Sequence, residues 1–143
     1  MSNIKVLKVL SVQAPWAYCF FSRGDYYPAK DVENRTQRTN YRGRLFVHVS
    51  KQRSAQGDRW LQEKFGLTFG PLPTSCIIGY VDLVACIRES SSQWAFPNYH
   101  HWIVKNPVLL ERPVLNVKGQ LGLWTPKCPL IVDQITDQIT GQI

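Results

Sequence analysis

Apolar residues recur along the chain in short runs that glycine, proline and polar residues separate. The runs at 5–11, 45–50 and 76–87 are rich in Val, Ile and Leu, which is typical of β-strands. Within 45–50 the aliphatic residues take alternate positions, so they share one face of a strand. The run 76–87 is nearly apolar throughout, which predicts a strand covered on both faces, with Gly79 as a candidate bend or bulge.

Further strands are predicted at 32–35, 99–110 and 114–117. Pro107 and Pro113 interrupt the last part of this pattern, and proline lacks the amide hydrogen that a sheet requires. The sequence therefore predicts a break between two separate strands here.

Two helices are predicted in the first half of the chain. The first begins at Pro15, which fits the first turn of a helix, and its aromatic residues follow at near-helical spacing until Gly24. The second covers 57–65 and ends at Gly66, which is a typical helix stop. Acidic Asp58 near its start and Lys64 in its last turn favour the helix dipole.

These elements fit one domain of the α+β class, built on a small curled sheet or barrel. A chain of 143 residues is near the usual size of a single domain. We expect this domain to cover residues 1–128. Residues 129–143 include a four-residue repeat and are expected to form a flexible tail, although Ile131, Ile135 and Ile139 would allow a weak amphipathic helix.

Composition narrows the class of protein. Hydrophobic residues make up 44% of the chain and charged residues 19%, as in ordinary globular proteins. No apolar run reaches the roughly 18 residues of a membrane span. The four cysteines are scattered without a CxxC pair, and the start of the chain has no signal-peptide pattern, so we expect a soluble, cytoplasmic protein without disulfides, metal or cofactor. Nucleotide-binding, zinc-protease and esterase motifs are absent from the sequence.

The net charge of +7 is concentrated in the first part of the chain. Residues 1–60 hold eleven of the seventeen Lys and Arg residues but only four of the ten acidic residues, so they carry the whole excess. Such a field favours a polyanionic partner, because each neutralised phosphate releases counterions. A solubilising surface without a partner is the alternative.

Several segments, taken in order, resemble those of the ASCH domain family. The phrases that carry the resemblance are LS at 10–11 with PWA at 15–17, KDVENR at 30–35, YRG at 41–43 with LFVHVSK at 45–51, IIGYVDLV at 77–84, WIVKNP at 102–107 and KGQLGLW at 118–124. Together they span roughly residues 5–125. The chain is therefore identified as similar to ASCH domains across most of its length.

The resemblance implies a fold and a place for function. ASCH domains are similar to PUA domains, which are small β-barrels with flanking helices and a cleft associated with RNA binding, coactivation or nucleotide chemistry. The family's Lys-x-x-Glu-x-Arg signature falls on Lys30, Glu33 and Arg35, at the mouth of that cleft. Trp16 and Trp124 occupy places that border the cleft in ASCH-like domains.

The signature residues suit recognition of a nucleotide. Arg35 would supply a rigid fork of donors, Lys30 a mobile charge, and Glu33 an acceptor for an exocyclic amine. The alternative is an ion pair that only closes the barrel. Asp82, inside an apolar strand, needs a partner, and Arg35 is a candidate.

A second group of residues could contact a nucleic-acid backbone. The loop 38–44 is dense in arginine, and its Tyr41 offers a ring for stacking, although an ordinary solvated turn would look the same. The aromatic rings of Trp16 and Trp124 could stack on an unstacked base or belong to the core. The predicted nucleic-acid-binding set is Trp16, Lys30, Glu33, Arg35, Arg38, Tyr41, Arg42, Arg44, Ser50, Lys51 and Trp124.

Two functions follow from these expectations. The first is a binding domain for RNA, single-stranded nucleic acid or a nucleotide, with no chemistry. The second is a small hydrolase acting on RNA or on N4-acylated cytidine, with Glu33 as general base and Lys30 or Arg35 as oxyanion stabiliser. In the amidohydrolase branch of the family a threonine nucleophile stands where this chain has Glu33. A contact between Ser11 and His48 across strands is expected to be structural. The sequence leaves the oligomeric state open.

Overall fold

Six strands form one curled sheet in the computed structural model, which describes residues 6–139. The strands are β1 (Val9–Val12), β2 (Val32–Arg35), β3 (Gly43–Val49), β4 (Cys76–Ile87), β5 (His100–Val114) and β6 (Leu123–Trp124). Their order in the sheet is β2-β5-β4-β3-β1-β6, and only the β1–β3 pair is parallel among these neighbours. This half-barrel confirms the predicted α+β class and is consistent with a small PUA-like barrel.

Three helices flank the sheet: α1 (Trp16–Cys19), α2 (Ala55–Phe65) and α3 (Pro129–Ile139). Helix α2 begins after Ser54, whose Oγ accepts a hydrogen bond from the Gly57 amide at 2.9 Å. It ends at Gly66, whose φ of 68° is the left-handed conformation that favours glycine. The predicted second helix is therefore confirmed, with a start two residues earlier. Helix α1 is only one turn, shorter than the apolar spacing suggested.

The two faces of the sheet carry separate apolar cores. Alternate residues of β3, such as Leu45, Val47 and Val49, pack with residues of α1 on one face, which we call the α1 face. The intervening residues, such as Phe46, pack beside α3 on the opposite face, which we call the α3 face. The alternation predicted for 45–50 thus positions β3 between two buried layers.

Strand β5 is continuous, so the predicted break at the prolines is wrong. The register with β4 jumps from Asp82↔Lys105 to Tyr80↔Val108, which places two residues of β5 opposite one of β4. Pro107 is one of these extra residues, and it follows Asn106, whose φ is 55°. A second jump contains Pro113. Bulges remove the need for an amide hydrogen at these positions, and the strand passes through both prolines.

The bend predicted at Gly79 is confirmed. The register of β4 shifts next to this residue on both sides. A Cβ atom at position 79 would lie 2.7 Å from the ring of Phe21. It would also overlap the carbonyl oxygen of Val108. The close approach of strand and aromatic ring therefore requires glycine.

The described part of the expected tail is ordered. Residues 129–139 form α3, which packs against β5, and Ile135 and Ile139 are buried in the core of the α3 face. This is the weak amphipathic helix that the isoleucine spacing allowed. It forms because the sheet offers an apolar surface that the repeat alone does not reveal. Residues 140–143 lie outside the described residues.

Within residues 6–139, no helix has the length and apolar content needed to cross a membrane. The four cysteines are free thiols.

Candidate nucleic-acid cleft

A cleft of about 430 Å³ opens beside the ends of β1 and β2. Its charged residues are Lys30, Glu33 and Arg35, which come from β2 and the segment before it. Aromatic side chains at positions 16, 96 and 99 also line it, together with the first turn of α2. The structure thus brings the signature residues and Trp16 together in one concave site.

Glu33 is the centre of a buried ion triad. Its Oε1 accepts a hydrogen bond from Lys30 Nζ at 2.8 Å. Its Oε2 accepts from Nε and lies 2.8 Å from Nη2 of Arg35. Both carboxylate oxygens are therefore held by cations, and the carboxylate fixes the direction of each cation. The side chains of Lys30 and Glu33 are only 4% and 10% exposed, so solvent screens this pair weakly.

Lys30 is enclosed by apolar and aromatic neighbours. Its ammonium donates to the carbonyl oxygen of Val32 and lies 4.6 Å from the ring centre of Phe20. The ring of Trp16 lies 6.0 Å away. These contacts offset part of the cost of burying a charge. The lysine is thus fixed in place, not a mobile charge as the sequence suggested.

The pKa of Glu33 is lowered from its ordinary value. Burial by itself raises this pKa, but the charges of Lys30 and Arg35 and their hydrogen bonds outweigh it. Glu33 is therefore ionised at neutral pH. A carboxylate in this environment is a weak proton acceptor and a strong hydrogen-bond acceptor.

Arg35 connects two strands that are far apart in the sheet order. Besides binding Glu33, its Nη2 donates to the carbonyl oxygen of Ser11 at 2.9 Å, which links β2 to β1. Its guanidinium also lies 6.0 Å from the ring of Trp102. Among residues 6–139 the Nη1 group makes no hydrogen bond, so two donors of this side chain are available at the cleft.

Trp16 forms an aromatic wall of the cleft. Its ring centre lies 5.5 Å from that of Trp60 and 5.9 Å from that of Phe96. Behind it, Gly57 of α2 has no side chain, and a Cβ there would lie 2.8 Å from the indole atoms Cε2 and Nε1. The glycine therefore lets the indole lie flat against α2.

Asn34 is a positioning residue that sequence reasoning missed. Its Nδ2 donates to the Trp94 carbonyl oxygen at 2.9 Å, and its Oδ1 accepts from the Phe96 amide at 3.0 Å. The same Oδ1 lies 2.9 Å from Nδ1 of His101. One amide side chain thus attaches the segment 94–96 to β2 and holds Phe96 at the cleft. The only sequence signal is the position of this asparagine inside the signature.

Polar side chains without partners stand at the rim of the cleft. Gln13, Thr36 and Gln56 line it, and among the described residues their side chains make no hydrogen bond. Amide and hydroxyl groups of this kind can donate and accept, as reading a base edge requires. None of the three was selected from the sequence, because isolated polar residues in loops carry no distinctive pattern.

The loop 38–44 does not present its predicted binding residues on one surface. Arg38 donates to the side chain of Asn40, and Arg42 donates to the carbonyl oxygens of Thr39 and Tyr41. The Tyr41 hydroxyl donates to the Arg44 carbonyl oxygen. Arg44 lies 4.2 Å from the ring of Tyr80, on the α3 face. None of these side chains lines the cleft.

Three other predicted binding residues also lie outside the cleft lining. The backbone amide of Ser50 donates to Val12, and Lys51 is exposed. Trp124 is buried, and its Nε1 donates to Ser11 Oγ at 3.1 Å. The indole thus supports β1 from the α3 face, as a core residue would.

Ser11 and His48 form the contact that the sequence left open, with 2.9 Å between Oγ and Nδ1. His48 Nε2 lies 2.7 Å from the carbonyl oxygen of Val117 and donates to it, which assigns Nδ1 as the acceptor for the Ser11 hydroxyl. Burial lowers the pKa of His48, although the bond to Val117 opposes this. Gly119 closes over the pair, since a Cβ there would lie 2.8 Å from Ser11 Oγ. The pair is therefore structural.

Asp82 does not pair with Arg35. Its Oδ2 accepts a hydrogen bond from Asn106 Nδ2 at 3.0 Å, and it is paired in register with Arg44 of β3. The carboxylate of Glu33 satisfies Arg35 instead. In the described part of the chain no group of three or more His, Cys, Asp or Glu residues could hold a metal ion.

Comparisons with known proteins give two relatives. The chain is 31% identical over 132 residues to Activating signal cointegrator 1 of Mus musculus, and equally to that of Homo sapiens. Each match covers 80% of this chain and 21% of the relative, so the chain spans about a fifth of the length of these proteins. No family model matches the chain.

Proposed function

We propose that this chain is an ASCH domain that binds RNA or another single-stranded nucleic acid by taking one base into the cleft. The observation that carries the proposal is the combination, in a cleft of about 430 Å³, of a fixed cation pair and an aromatic wall. This volume lies within the range of sites for small organic ligands. Similarity to Activating signal cointegrator 1 and the ordered motifs between residues 10 and 124 support the family assignment.

Each part of the cleft has a role in this binding mode. The ring of Trp16 offers a face on which a base can stack, which is worth about 1–3 kcal/mol per base. The free donors of Arg35 suit a phosphate or a base carbonyl oxygen. The remaining lone pairs of Glu33 suit an exocyclic amine. We propose a reducing, cytoplasmic setting on the basis of the four free thiols.

The hydrolase alternative has less support. Both oxygens of Glu33 are occupied by cations, and its lowered pKa opposes a role as general base. Lys30 has its ammonium bonded to Glu33 and Val32, and it is 5% exposed. Binding of a base, in contrast to hydrolysis, requires only that Glu33 and Lys30 keep their positions.

The decisive experiment uses a substitution that fills the cleft and leaves the buried core residues unchanged. Gln56 is exposed at the rim and unpartnered, so Gln56→Trp should occupy the space that a base would use. Gln120→Trp, at another exposed glutamine, is the matched control. Fluorescence polarisation with a fluorescein-labelled single-stranded RNA of twelve nucleotides measures affinity at two salt concentrations.

We expect Gln56→Trp to weaken binding at least about fivefold, which is the loss of one stacked base. Gln120→Trp should bind as the unmodified protein does. Equal affinity of both variants would overturn the cleft as the binding site, and absence of RNA binding by the unmodified protein would overturn the function. Parallel incubation of the unmodified protein with N4-acetylcytidine, followed by chromatography, tests the alternative, since deacylation would establish the hydrolase.

A further inference from the structure

A row of basic side chains stands beside the cleft and begins with Arg35 of the signature. Arg35 at the end of β2 is paired in register with His100 at the start of β5. Strand β4 ends at Ile87, which is paired with His101, so the antiparallel register brings the next residue, Arg88, beside His100. Three basic side chains thus follow one another across three neighbouring strands.

These side chains share one face of the sheet. Trp102 belongs to the core of the α1 face, and its side chain lies under the guanidinium of Arg35. His100 is two residues from Trp102, so it points to the same side. Cys86 packs against that core as well, and Arg88 is two residues beyond it. The row therefore lies at the edge of the α1 face, next to the cleft.

Electrostatics support this proximity. The pKa of His100 is lowered by partial desolvation and then by the charges of Arg88 and Arg38, although the residue is near the surface. Arg38 follows Gln37, whose carbonyl oxygen accepts a hydrogen bond from Trp102 Nε1 at 3.0 Å, so the loop after β2 lies beside the same group. We call Arg35, Arg38, Arg88 and His100 the basic rim.

Two arginines of the basic rim lack an ion-pair partner among the described residues. Arg35 is neutralised by Glu33, but among residues 6–139 neither Arg38 nor Arg88 forms an ion pair. The positive charges of the arginines repel one another, and an anion between them would relieve that repulsion. Tyr99, a cleft residue, immediately precedes His100, so an anion on the rim would be next to the base in the cleft.

We propose that the basic rim binds phosphate groups of a nucleic-acid strand, on the nucleotides adjacent to the base held in the cleft. This inference rests on the proposed function and makes it more specific. The phosphate-binding surface proposed here differs from the loop 38–44 that the sequence predicts. It combines Arg38 of that loop with Arg88 and His100. The strand would then run from the cleft across the ends of β2, β5 and β4.

The test separates the rim from the cleft. Arg88→Gln removes one cation of the rim, and Arg59→Gln removes an exposed cation of α2 as the matched control. For each variant, affinity for the same labelled RNA is measured over a range of salt concentrations. Binding of cytidine 5′-monophosphate and of cytidine, followed by tryptophan fluorescence, reports on the cleft alone.

We expect Arg88→Gln to reduce the slope of log affinity against log salt concentration by about 0.7, the value for one lost phosphate contact on a single strand. The slope for Arg59→Gln should match that of the unmodified protein. An unchanged slope in Arg88→Gln overturns the rim, whether or not Gln56→Trp weakens binding. If Gln56→Trp has no effect while Arg88→Gln flattens the slope, the cleft proposal fails and the rim is a separate anion site.

Discussion

Replacing Glu33 by glutamine should strongly destabilise the fold, because it leaves the buried charge of Lys30 without its partner. The Lys30–Glu33 pair is almost fully shielded from solvent, whereas the side chain of Arg35 is 28% exposed. Removal of one member of a buried pair typically costs 3–5 kcal/mol. Because water can solvate the partly exposed Arg35 when Glu33 is replaced, we expect the free energy of unfolding to fall by about 3 kcal/mol.

Urea unfolding followed by tryptophan fluorescence measures this loss. With a slope near 2 kcal/mol per molar, as in proteins of this size, Glu33→Gln should lower the midpoint by roughly 1.5 M. Asp58→Asn is the matched control, since Asp58 pairs with Arg53 at the same 2.8 Å but on the surface. It should cost about 1 kcal/mol or less.

The pH dependence of the same difference tests its electrostatic origin. The pKa of Glu33 is lower in the folded protein than its ordinary value of 4.5, so its contribution to stability is full above that value. As the pH falls below about 4.5, the unfolded state takes up the proton first, and the difference between the unmodified protein and Glu33→Gln should shrink. A loss below 1 kcal/mol at pH 7, or a difference independent of pH from 7 to 3, would refute the reasoning.

Three further outcomes are expected. Gly57→Ala should destabilise the protein by about 1–3 kcal/mol and weaken RNA binding, because its Cβ would lie 2.8 Å from the Trp16 indole, whereas Gly70→Ala, with no atom within 4 Å, should do neither. The pKa of His48 is lowered from 6.5, so its contribution to the free energy of unfolding should be full above that pH and should fall as the pH decreases below it. The free energy of unfolding of His48→Gln should lack this decrease, and a pH profile identical to that of the unmodified protein would contradict the prediction. Ile135→Ala should cost about 3 kcal/mol in urea unfolding, since this side chain is fully buried, and a change under 0.5 kcal/mol would mean that α3 does not stabilise the sheet.

The strands were predicted well where a local pattern determines them. Alternation over 45–50 and the apolar run 76–87 gave β3 and β4 nearly at their observed bounds. The prolines of β5 misled the prediction because a bulge depends on the partner strand, which a local pattern does not contain. Helix α3 was only an alternative to a flexible tail for a related reason, since its stability comes from packing against the sheet.

The site was predicted only in part. Spacing placed Glu33 and Arg35 on one side of a strand, and the structure brings them together with Lys30 and Trp16. The arginines of 38–44 were grouped because they are close in sequence, yet Gly43, with φ of 131°, begins β3, in which Arg44 points to the α3 face. Conversely, the rim partners Arg88 and His100 are twelve residues apart, and only the register of β4 and β5 joins them.

The structural and functional roles proposed for Arg35 are compatible because they use different atoms of one side chain. Nε and Nη2 bind Glu33 and the Ser11 carbonyl oxygen, which joins β2 to β1. These bonds also fix the plane of the guanidinium and leave Nη1 without a hydrogen bond among the described residues. A lysine at this position could supply the charge but not both bonds and the free donors at once. The guanidinium bonds to Glu33 and to β1 therefore also orient the donors that a ligand would meet.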